Sequence, residues 1–336
     1  MTESAAARSR AGVHSIDHFA LNVPSLVEAE RFFNAFGLDV TTVGAGTQEL
    51  ELRSADGHRW ARIFSADRKS LAYLSFNCYA RDLPVLRNQA AAAGAMFVPS
   101  ANDNEGTAFW FHDPDGNLIQ VAVGPKTSPG SKTISVNTSA MADVRGACTR
   151  SAVQPVKPRR LSHVLLFTPD VLRAVDFYEQ ALGLRLSDKS QDLIAFTHAP
   201  HGCDHHLVAF AKSHARGWHH SSWDVDNVNV VGEGAAQMAA AGFSKGWGTG
   251  RHVLGSNYFH YVEDPWGSFC EYSADIDFVS AGHEWPAGDF APEDSLYLWG
   301  PDVPTNFVHN TEVPPGNRFV SAAQGHQGCD GDRPPR

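Results

Sequence analysis

The hydrophobic and polar positions of the chain follow the same order in its two halves. A short apolar stretch with a histidine at its start opens each half, residues 16–24 with His18 and residues 161–169 with His163. Helical spacing follows and ends at Gly37 and at Gly183, where glycine is typical of a helix C-cap. Both halves close with a strand, a turn that contains proline and glycine, and another strand. The pattern therefore predicts an internal repeat.

Each half also contains further strand patterns and a second helix, at residues 83–93 and at residues 230–241. The predicted content of a half is β-α-β-β-β plus that helix, which is an α+β fold class. Composition then sets the boundaries, because proline, serine, threonine and lysine dominate the stretch between the halves. The predicted segments are a disordered N-terminus (residues 1–14), an N-terminal module (15–124), a linker (125–159), a C-terminal module (160–280), an extension (281–313) and a disordered tail (314–336).

Composition and charge exclude several function classes. The chain has 336 residues, a net charge of −10 and no long run of lysine and arginine, which argues against nucleic acid or an anionic membrane as partner. No apolar run has the length of a membrane span or of a signal-peptide core, so we expect a soluble, cytoplasmic protein. The 5 cysteines are odd in number and widely spread, which predicts reduced thiols rather than a disulfide framework.

The repeated pattern resembles a known superfamily. Its two modules, each with a histidine-led first strand and an Asp-Pro-x-Gly turn at residues 113–116 and 264–267, resemble the vicinal oxygen chelate (glyoxalase-like) superfamily. The run from residue 250 to residue 272 is similar to the type I extradiol catechol dioxygenases within it. The resemblance implies tandem βαβββ modules that form two open barrels, with a metal in the second module only.

The resemblance also implies a metal site. His163 opens the first strand of the second module, His220 lies near the start of a later strand, and Glu271 lies on the last one, and all three match ligand positions of the family. Two histidines and a carboxylate are the ligand set of non-haem Fe(II) oxygenases. His219 is the alternative to His220, since neighbouring strand residues point to opposite faces. A single histidine or glutamate on a strand is more often structural or solvated, so the assignment depends on all three matches together.

Three further polar residues match the family's proton-handling positions. His206 matches the acid/base position, and His205 beside it is expected to face away and be structural. His252 and Tyr261 match positions that orient bound substrate or dioxygen. The alternative interpretation of each is an ordinary polar residue of the core or surface, without a role in catalysis. Asn257 is expected to support a loop or contact substrate, and the predicted pocket walls are aromatic: Phe196, Trp223, Trp247, Phe259 and Trp266.

The first half is an internal control for the metal site. His18 is retained, but the strand that corresponds to that of His220 contains Tyr73, and the carboxylate position is Gln120. We therefore expect a structural His18 and no metal in the first half.

The predicted function is extradiol cleavage of a catecholic aromatic diol. The expected cofactor is Fe(II), with Mn(II) as the alternative because both metals accept these ligands, and O2 is the co-substrate. We expect a homo-oligomer. Two other functions use the same fold: a glyoxalase-like isomerase or lyase, which needs more acidic ligands, and a metal-free binding protein, which needs no ligands. The set of His206, His252 and Tyr261 favours the dioxygenase over both.

Overall fold

Two large mixed β-sheets form the framework of the protein. The computed structural model describes residues 11–44, 49–99, 106–134 and 142–312. The disorder predicted for residues 1–10 and 314–336 therefore lies outside the described residues. Residues 11–14, which the sequence assigned to the same disordered N-terminus, are ordered: Val13 and His14 are buried, and their amides donate to the carbonyls of Leu182 and Asn77.

The first half contains two successive βαβββ units in a single sheet. The elements are β1 (Ser15–Val23), α1 (Leu26–Phe36), β2 (Asp39–Val43), β3 (Glu49–Arg53), β4 (Arg59–Ser65), β5 (Ser70–Cys78), α2 (Leu83–Ala92), β6 (Met96–Val98), β7 (Ala108–His112) and β8 (Leu118–Val123). The sheet has 8 strands in the order β2-β3-β4-β1-β5-β8-β7-β6. The observed α2 agrees with the helix predicted at residues 83–93.

The second half repeats this order and adds strands from the extension. Its elements are β9 (Arg160–Thr168), α3 (Val171–Leu182), β10 (Arg185–Ser190), β11 (Ile194–His198), β12 (Cys203–Asp204), β13 (Val208–Lys212), β14 (Gly217–Asp224), α4 (Val228–Ala240), β15 (Gly246–His252), β16 (Tyr258–Glu263), β17 (Phe269–Ala274), β18 (Phe278–Val279), β19 (Gly288–Asp289) and β20 (Tyr297–Trp299). The 10-stranded sheet runs β19-β10-β11-β13-β9-β14-β17-β16-β15-β20, so strands of the extension cover both of its edges. The α+β fold class of tandem βαβββ modules is confirmed. The residue bounds assigned to modules, linker and extension stay predictions.

Local capping explains where the helices begin and end. The Ser25 side chain accepts a hydrogen bond from the amide of Glu28 at the start of α1, and Gly37 follows the helix with a φ of 95°. That positive φ is the left-handed conformation that favours glycine. Asn227 caps α4, which therefore begins at Val228, two residues before the predicted start. No helix among the described residues is long and apolar enough to cross a membrane.

The two halves share one hydrophobic core. The rings of Phe36 and Tyr272 stack with centroids 4.0 Å apart, and the Tyr272 hydroxyl donates to the Phe36 carbonyl over 2.8 Å. Trp218 packs against Phe19 with centroids 4.7 Å apart, and buried Lys69 of the first half donates to the Trp218 carbonyl. These contacts hold the sheet of the second half from one side. Among the described residues Cys78, Cys203 and Cys270 are buried free thiols and Cys148 is an exposed one.

Candidate metal centre

Strand register brings the three predicted ligands to one place. His163 lies on β9, His220 on β14 and Glu271 on β17, and β14 lies between the other two strands. Ser222 pairs with both His163 and Glu271 across its two neighbours. His220 precedes Ser222 by two residues and so projects to the same face of the sheet. Adjacent strands thus hold the side chains of all three residues over one face.

The distances among these side chains suit a single divalent metal ion. Nε2 of His163 lies 3.3 Å from Oε2 of Glu271, and Nε2 of His220 lies 3.8 Å from the same oxygen. The three potential ligand atoms all lie within 4.8 Å of one another, and this is the only such group found among the described residues. Metal–ligand bonds of about 2.0–2.2 Å place the donor atoms of a shared metal at about this separation. Two histidines and one carboxylate on one face leave the opposite positions open.

Unsatisfied polar atoms point to the same conclusion. Oε2 of Glu271 and Nε2 of His220 are buried and have no hydrogen-bond partner among the described residues. Leaving such a group unpaired costs about 1–3 kcal/mol, so an ion that satisfies both removes a penalty. Burial by itself raises the pKa of Glu271, but the neighbouring His163, His252 and Ser222 together outweigh it, so the pKa of Glu271 is lowered. The carboxylate is therefore in the form that binds a cation.

His219 and His220 are not a simple alternating pair. The pairing of β14 with β9 is irregular between Trp218 and His220, so His219 sits at a bulge. Both histidines are buried, and their Nδ1 atoms lie 2.7 Å apart. The His219 Nε2 donates to the carbonyl of Phe307 over 2.7 Å. The structure thus places His220 beside Glu271 and His219 behind His220.

His206 occupies the rim of the metal centre. Its ring centroid lies 3.9 Å from that of His163, and its Nδ1 lies 3.0 Å from Nδ1 of His205. Burial, followed by the charges of the neighbouring histidines with His163 first among them, lowers the pKa of His206 well below its usual value, which favours the neutral imidazole. His205, expected to be merely structural, is fully buried and contacts Asp188 through Nε2 over 2.8 Å. His206, His205 and Asp188 therefore form one chain of hydrogen-bonded side chains.

His252 and Tyr261 form a second pair beside the ligands. Nε2 of His252 lies 3.0 Å from the Tyr261 hydroxyl and 3.8 Å from Oε1 of Glu271. Burial lowers the pKa of His252, and burial together with the charge of Glu271 raises that of Tyr261 well above its usual value. Both groups are thus neutral and able to donate or accept single hydrogen bonds.

Asn257 contacts the ligand carboxylate. Its Nδ2 donates to Oε1 of Glu271 over 3.0 Å and to the Ser273 hydroxyl over 2.9 Å. Because Oε1 is held in this way, Oε2 is the oxygen that stays free toward His163 and His220. Asn257 also lines the cavity over the metal centre, so its position is compatible with support of a loop and with contact to substrate.

A cavity opens over the metal centre, and its walls differ from the predicted aromatic set. Its lining is half polar and half apolar: His163, His206, His219, His220, His252, Asn257, Tyr261, Ser295, Leu165, Ile194, Phe196, Ala211, Leu254, Leu296, Phe307 and Val308. Of the five predicted wall residues only Phe196 is among them. The other four, Trp223, Trp247, Phe259 and Trp266, are not among the residues that line it.

Strand geometry explains why these four side chains are not among the lining residues. Trp223 follows Ser222 directly and so projects to the opposite face, where it packs near Phe19 and Phe36 in the shared core. Trp247 stacks behind Tyr261 with ring planes 11° apart, and Phe259 stacks on His252 with centroids 4.1 Å apart. These two rings therefore back the polar residues instead of facing the cavity. Trp266 packs on the main core from the turn between β16 and β17.

The extension supplies the part of the cavity that sequence reasoning missed. Ser295, Leu296, Phe307 and Val308 line it, whereas every site residue expected from the sequence lies at or before Glu271. Leu296 also accepts a hydrogen bond at its carbonyl from Nδ1 of His252 over 2.6 Å. Backbone carbonyls carry no residue-type signal, so this contact could not be found from the sequence.

The first half has the corresponding positions but other side chains. Ser75 pairs with His18 and with Gln120, as Ser222 pairs with His163 and Glu271. Tyr73, two residues before Ser75, therefore corresponds to His220. Gln120 accepts a hydrogen bond from the Ser75 hydroxyl over 2.8 Å.

Comparison with known proteins finds a matching family model and a similar protein. The family model described as the Glyoxalase/Bleomycin resistance protein/Dioxygenase superfamily matches residues 160–272. Metapyrocatechase 2 of Cupriavidus necator is 62% identical over 312 residues, which cover 93% of this chain and 97% of that protein.

Solved structures are similar at lower identity. A Mn(II)-bound glyoxalase from Novosphingobium aromaticivorans has a TM-score of 0.71 at 23% identity and covers 93% of this chain and 99% of its own. An extradiol ring-cleaving dioxygenase from B. fuscum has a TM-score of 0.69 at 18% identity and covers 89% of this chain and 83% of its own. At these identities both likenesses concern the fold alone.

Proposed function

Because the chain belongs to the extradiol ring-cleaving dioxygenases of the Glyoxalase/Bleomycin resistance protein/Dioxygenase superfamily, we propose that it opens neutral catechols with both atoms of O2 at an Fe(II) site formed by His163, His220 and Glu271. The observation that carries the site assignment is the convergence of these three ligand atoms within 4.8 Å of one another. The residues fit such an ion, because two of the ligand atoms are buried without a hydrogen-bond partner. Bound there, Fe(II) supplies Lewis acidity and open positions for the diol and for O2.

His206 is the acid/base residue of this proposal. A catechol must lose protons when it binds a metal ion, and a neutral imidazole at the cavity rim can accept one. Burial holds His206 in that neutral form, with a pKa well below its usual value. The same residue can return the proton later, since it is the lowered pKa that makes its protonated form a strong acid.

His252 and Tyr261 orient the reactants. Both side chains line the cavity, and Nε2 of His252 lies 3.8 Å from Oε1 of Glu271. Both are neutral and have fixed partners, so they present directed hydrogen bonds without adding a net charge near the metal. Phe196 and Leu254 provide apolar surface for the aromatic ring.

The charge of the cavity supports a neutral substrate. Among the described residues that line it there is no lysine or arginine. A ring substituent that carries a carboxylate would therefore lose its hydration without gaining a cationic partner, which costs several kcal/mol. Catechol and alkylcatechols fit this chemistry, and the name metapyrocatechase, printed for the 62% identical relative, agrees with it.

The glyoxalase alternative has less support. It would need a more acidic ligand set, whereas the group of His163, His220 and Glu271 contains one carboxylate. Mn(II) in place of Fe(II) is the closer alternative, because the same ligands accept both ions. We propose the module of residues 160–280 as the catalytic one, and the module of residues 15–124 as a brace that covers its apolar face.

The test is reconstitution under argon with Fe(II) or Mn(II), followed by addition of a catechol and O2. We expect O2 uptake equal to the substrate consumed, with formation of a coloured ring-opened product, for catechol and methylcatechols and at far lower rates for protocatechuate. His220→Ala is the control and should show neither. A preference for protocatechuate, or colourless conversion without O2 uptake, would contradict the proposal.

A further inference from the structure

The extension, here residues 281–312, places backbone groups against the outer side of the metal centre. The carbonyl of Leu296 lies 2.6 Å from Nδ1 of His252, and the carbonyl of Phe307 lies 2.7 Å from Nε2 of His219. A carbonyl oxygen only accepts hydrogen bonds. Both ring nitrogens must therefore carry a proton, and the extension decides which nitrogen of each ring does.

These protons fix the opposite ends of the rings. In neutral His252 the other nitrogen, Nε2, has a lone pair, which can accept a hydrogen bond from the Tyr261 hydroxyl over 3.0 Å. In neutral His219 the lone pair lies on Nδ1, so the contact of 2.7 Å with Nδ1 of His220 requires a proton on His220. His220 then presents the lone pair of Nε2, an atom without a hydrogen-bond partner in the described part of the chain, toward Glu271.

A third set of hydrogen bonds links the extension to His206 through the carboxylate of Asp188. Asp188 accepts from the Gly288 amide over 2.7 Å and from the Trp285 indole over 3.3 Å, and both donors belong to the extension. The same carboxylate accepts from Nε2 of His205 over 2.8 Å. With a neutral His205, its Nδ1 accepts from Nδ1 of His206 at 3.0 Å, which leaves the lone pair of the His206 Nε2.

We propose that the extension sets the tautomers of His206, His220 and His252, so that all three present an Nε2 lone pair. Leu296, Phe307 and Asp188 are positioning residues in this arrangement, because they act through other groups. The inference rests on the proposed metal site. It gives the extension a role in metal affinity and proton handling that covering the cavity would not require.

Attachments of the extension keep its carbonyls in place. Asn310 is buried and donates from Nδ2 to the carbonyls of Ala215 and Arg216, each over 3.0 Å. Glu312 lies 3.0 Å from Nζ of Lys69, and the Trp247 indole donates to the Pro301 carbonyl over 2.8 Å. Because Asn310 lies just beyond Phe307 and outside the cavity, its contacts can be removed without changing a residue of the metal centre.

The direct test is long-range proton–nitrogen NMR on the full metal-free chain with isotope-labelled histidine. We expect the Nδ1–H form for His220 and His252 and the Nε2–H form for His219. Comparison with variants that each lack one of these histidines assigns the signals. Metal-free protein is used because a metal on Nε2 would itself impose the Nδ1–H form. An Nε2–H form of His220, or an equal mixture of forms for His219, would overturn the inference.

Metal affinity gives an independent test that needs no turnover. His219→Gln can still donate to the Phe307 carbonyl and accept from His220, whereas His219→Leu can do neither. We expect Zn(II) affinity to fall by about 10- to 100-fold in the leucine variant and to stay within a few-fold of wild type in the glutamine variant. Asn310→Ala should increase the Zn(II) dissociation rate, with exposed Asp302→Asn of the extension as the control that leaves it unchanged. Equal affinities in the leucine and glutamine variants would contradict the inference.

These outcomes separate the inference from the metal site on which it rests. If His220→Ala abolishes Zn(II) binding and His219→Leu does not change it, the site stands and the role of the extension is wrong. If His220→Ala leaves Zn(II) binding intact, the proposed site itself is wrong.

Discussion

The hydroxyl of Tyr73 lies 2.9 Å from Nε2 of His18, at the position in the first half that corresponds to the meeting of His163 and His220 in the second. The two pairs have nearly the same geometry, with ring centroids 5.3 Å apart in the first half and 5.4 Å apart in the second. Arg62 donates to the Tyr73 hydroxyl over 3.1 Å and forms an ion pair with Glu49. In the first half a guanidinium side chain thus supplies the positive charge at this place.

This cluster predicts that the first half contributes stability and not turnover. Tyr73→Phe removes the hydroxyl between His18 and Arg62 and should lower the free energy of unfolding by about 1–3 kcal/mol. His18→Ala should destabilise in the same way, and both variants should keep kcat close to wild type. Urea denaturation and a catechol assay on the same samples measure the two effects. A large loss of kcat with unchanged stability would assign His18 to the reaction.

The position of His206 predicts a separation of metal binding from turnover. His206→Asn removes the proton acceptor at the cavity rim but none of the three ligands, so the Fe(II) content should stay near wild type. Loss of general acid/base catalysis should lower kcat by about 100- to 10,000-fold. Metal analysis and single-turnover kinetics check the two expectations. Loss of the metal from this variant would make His206 a ligand.

The amide of Asn257 predicts an effect on metal affinity through Glu271. Asn257→Ala removes the donor that holds Oε1, so the carboxylate can rotate, and Fe(II) affinity should fall by about 10- to 100-fold. Asn22→Ala is the matched control, because Asn22 also donates from Nδ2, to the Ser70 hydroxyl over 3.1 Å, but in the first half and away from the metal centre. Competition with a chelator measures both variants. Equal affinities in the two variants would leave Asn257 without this role.

Buried neutral histidines predict a loss of stability in acid. Burial, with smaller contributions from neighbouring charges, lowers the pKa of His14 and that of His198 to about 4. Since the unfolded chain takes up these protons at about pH 6.5, the stability is complete above that pH and is lost as the pH falls toward 4. Each residue can account for at most about 3 kcal/mol of that loss. The free energy of unfolding of the metal-free protein, measured from pH 7 to pH 4, should follow this course.

The control for this pH dependence is a pair of glutamine variants. His14→Gln should flatten the dependence, while His112→Gln, which removes a histidine that contributes to the pKa of neither His14 nor His198, should leave it unchanged. Parallel curves for wild type and His14→Gln would show that His14 is not kept neutral by the fold.

Much of the fold and of the candidate site follows from local pattern. Gly37 and Gly183 marked helix ends because the left-handed conformation there favours glycine, and both have a positive φ. The histidine-led strands and the closing hairpins gave the repeat, and the resemblance placed His163, His220 and Glu271 in one site. Trp223 was expected in the pocket wall and is not among the residues that line the cavity, and strand alternation counted from His220 already put it on the other face.

Other features had no signal in the residue types. Whether His219 or His220 lies beside Glu271 depends on a bulge in β14, which is a property of the pairing with β9 and not of either residue. The partners of His219 and His252 are the carbonyls of Phe307 and Leu296, and every residue has a carbonyl. Those contacts depend on the path of the extension, which tertiary packing determines.

The most direct test of the metal-centre assignment is the amount of Fe(II) bound per chain after reconstitution under argon, measured together with O2 uptake on addition of catechol. Wild type should bind close to one equivalent and consume O2. His163→Ala, His220→Ala and Glu271→Ala should each lose most of the iron and nearly all of the uptake while remaining folded, whereas His18→Ala should retain both. Two equivalents per chain with one lost in His18→Ala, or full iron content in His220→Ala, would contradict a single centre formed by His163, His220 and Glu271.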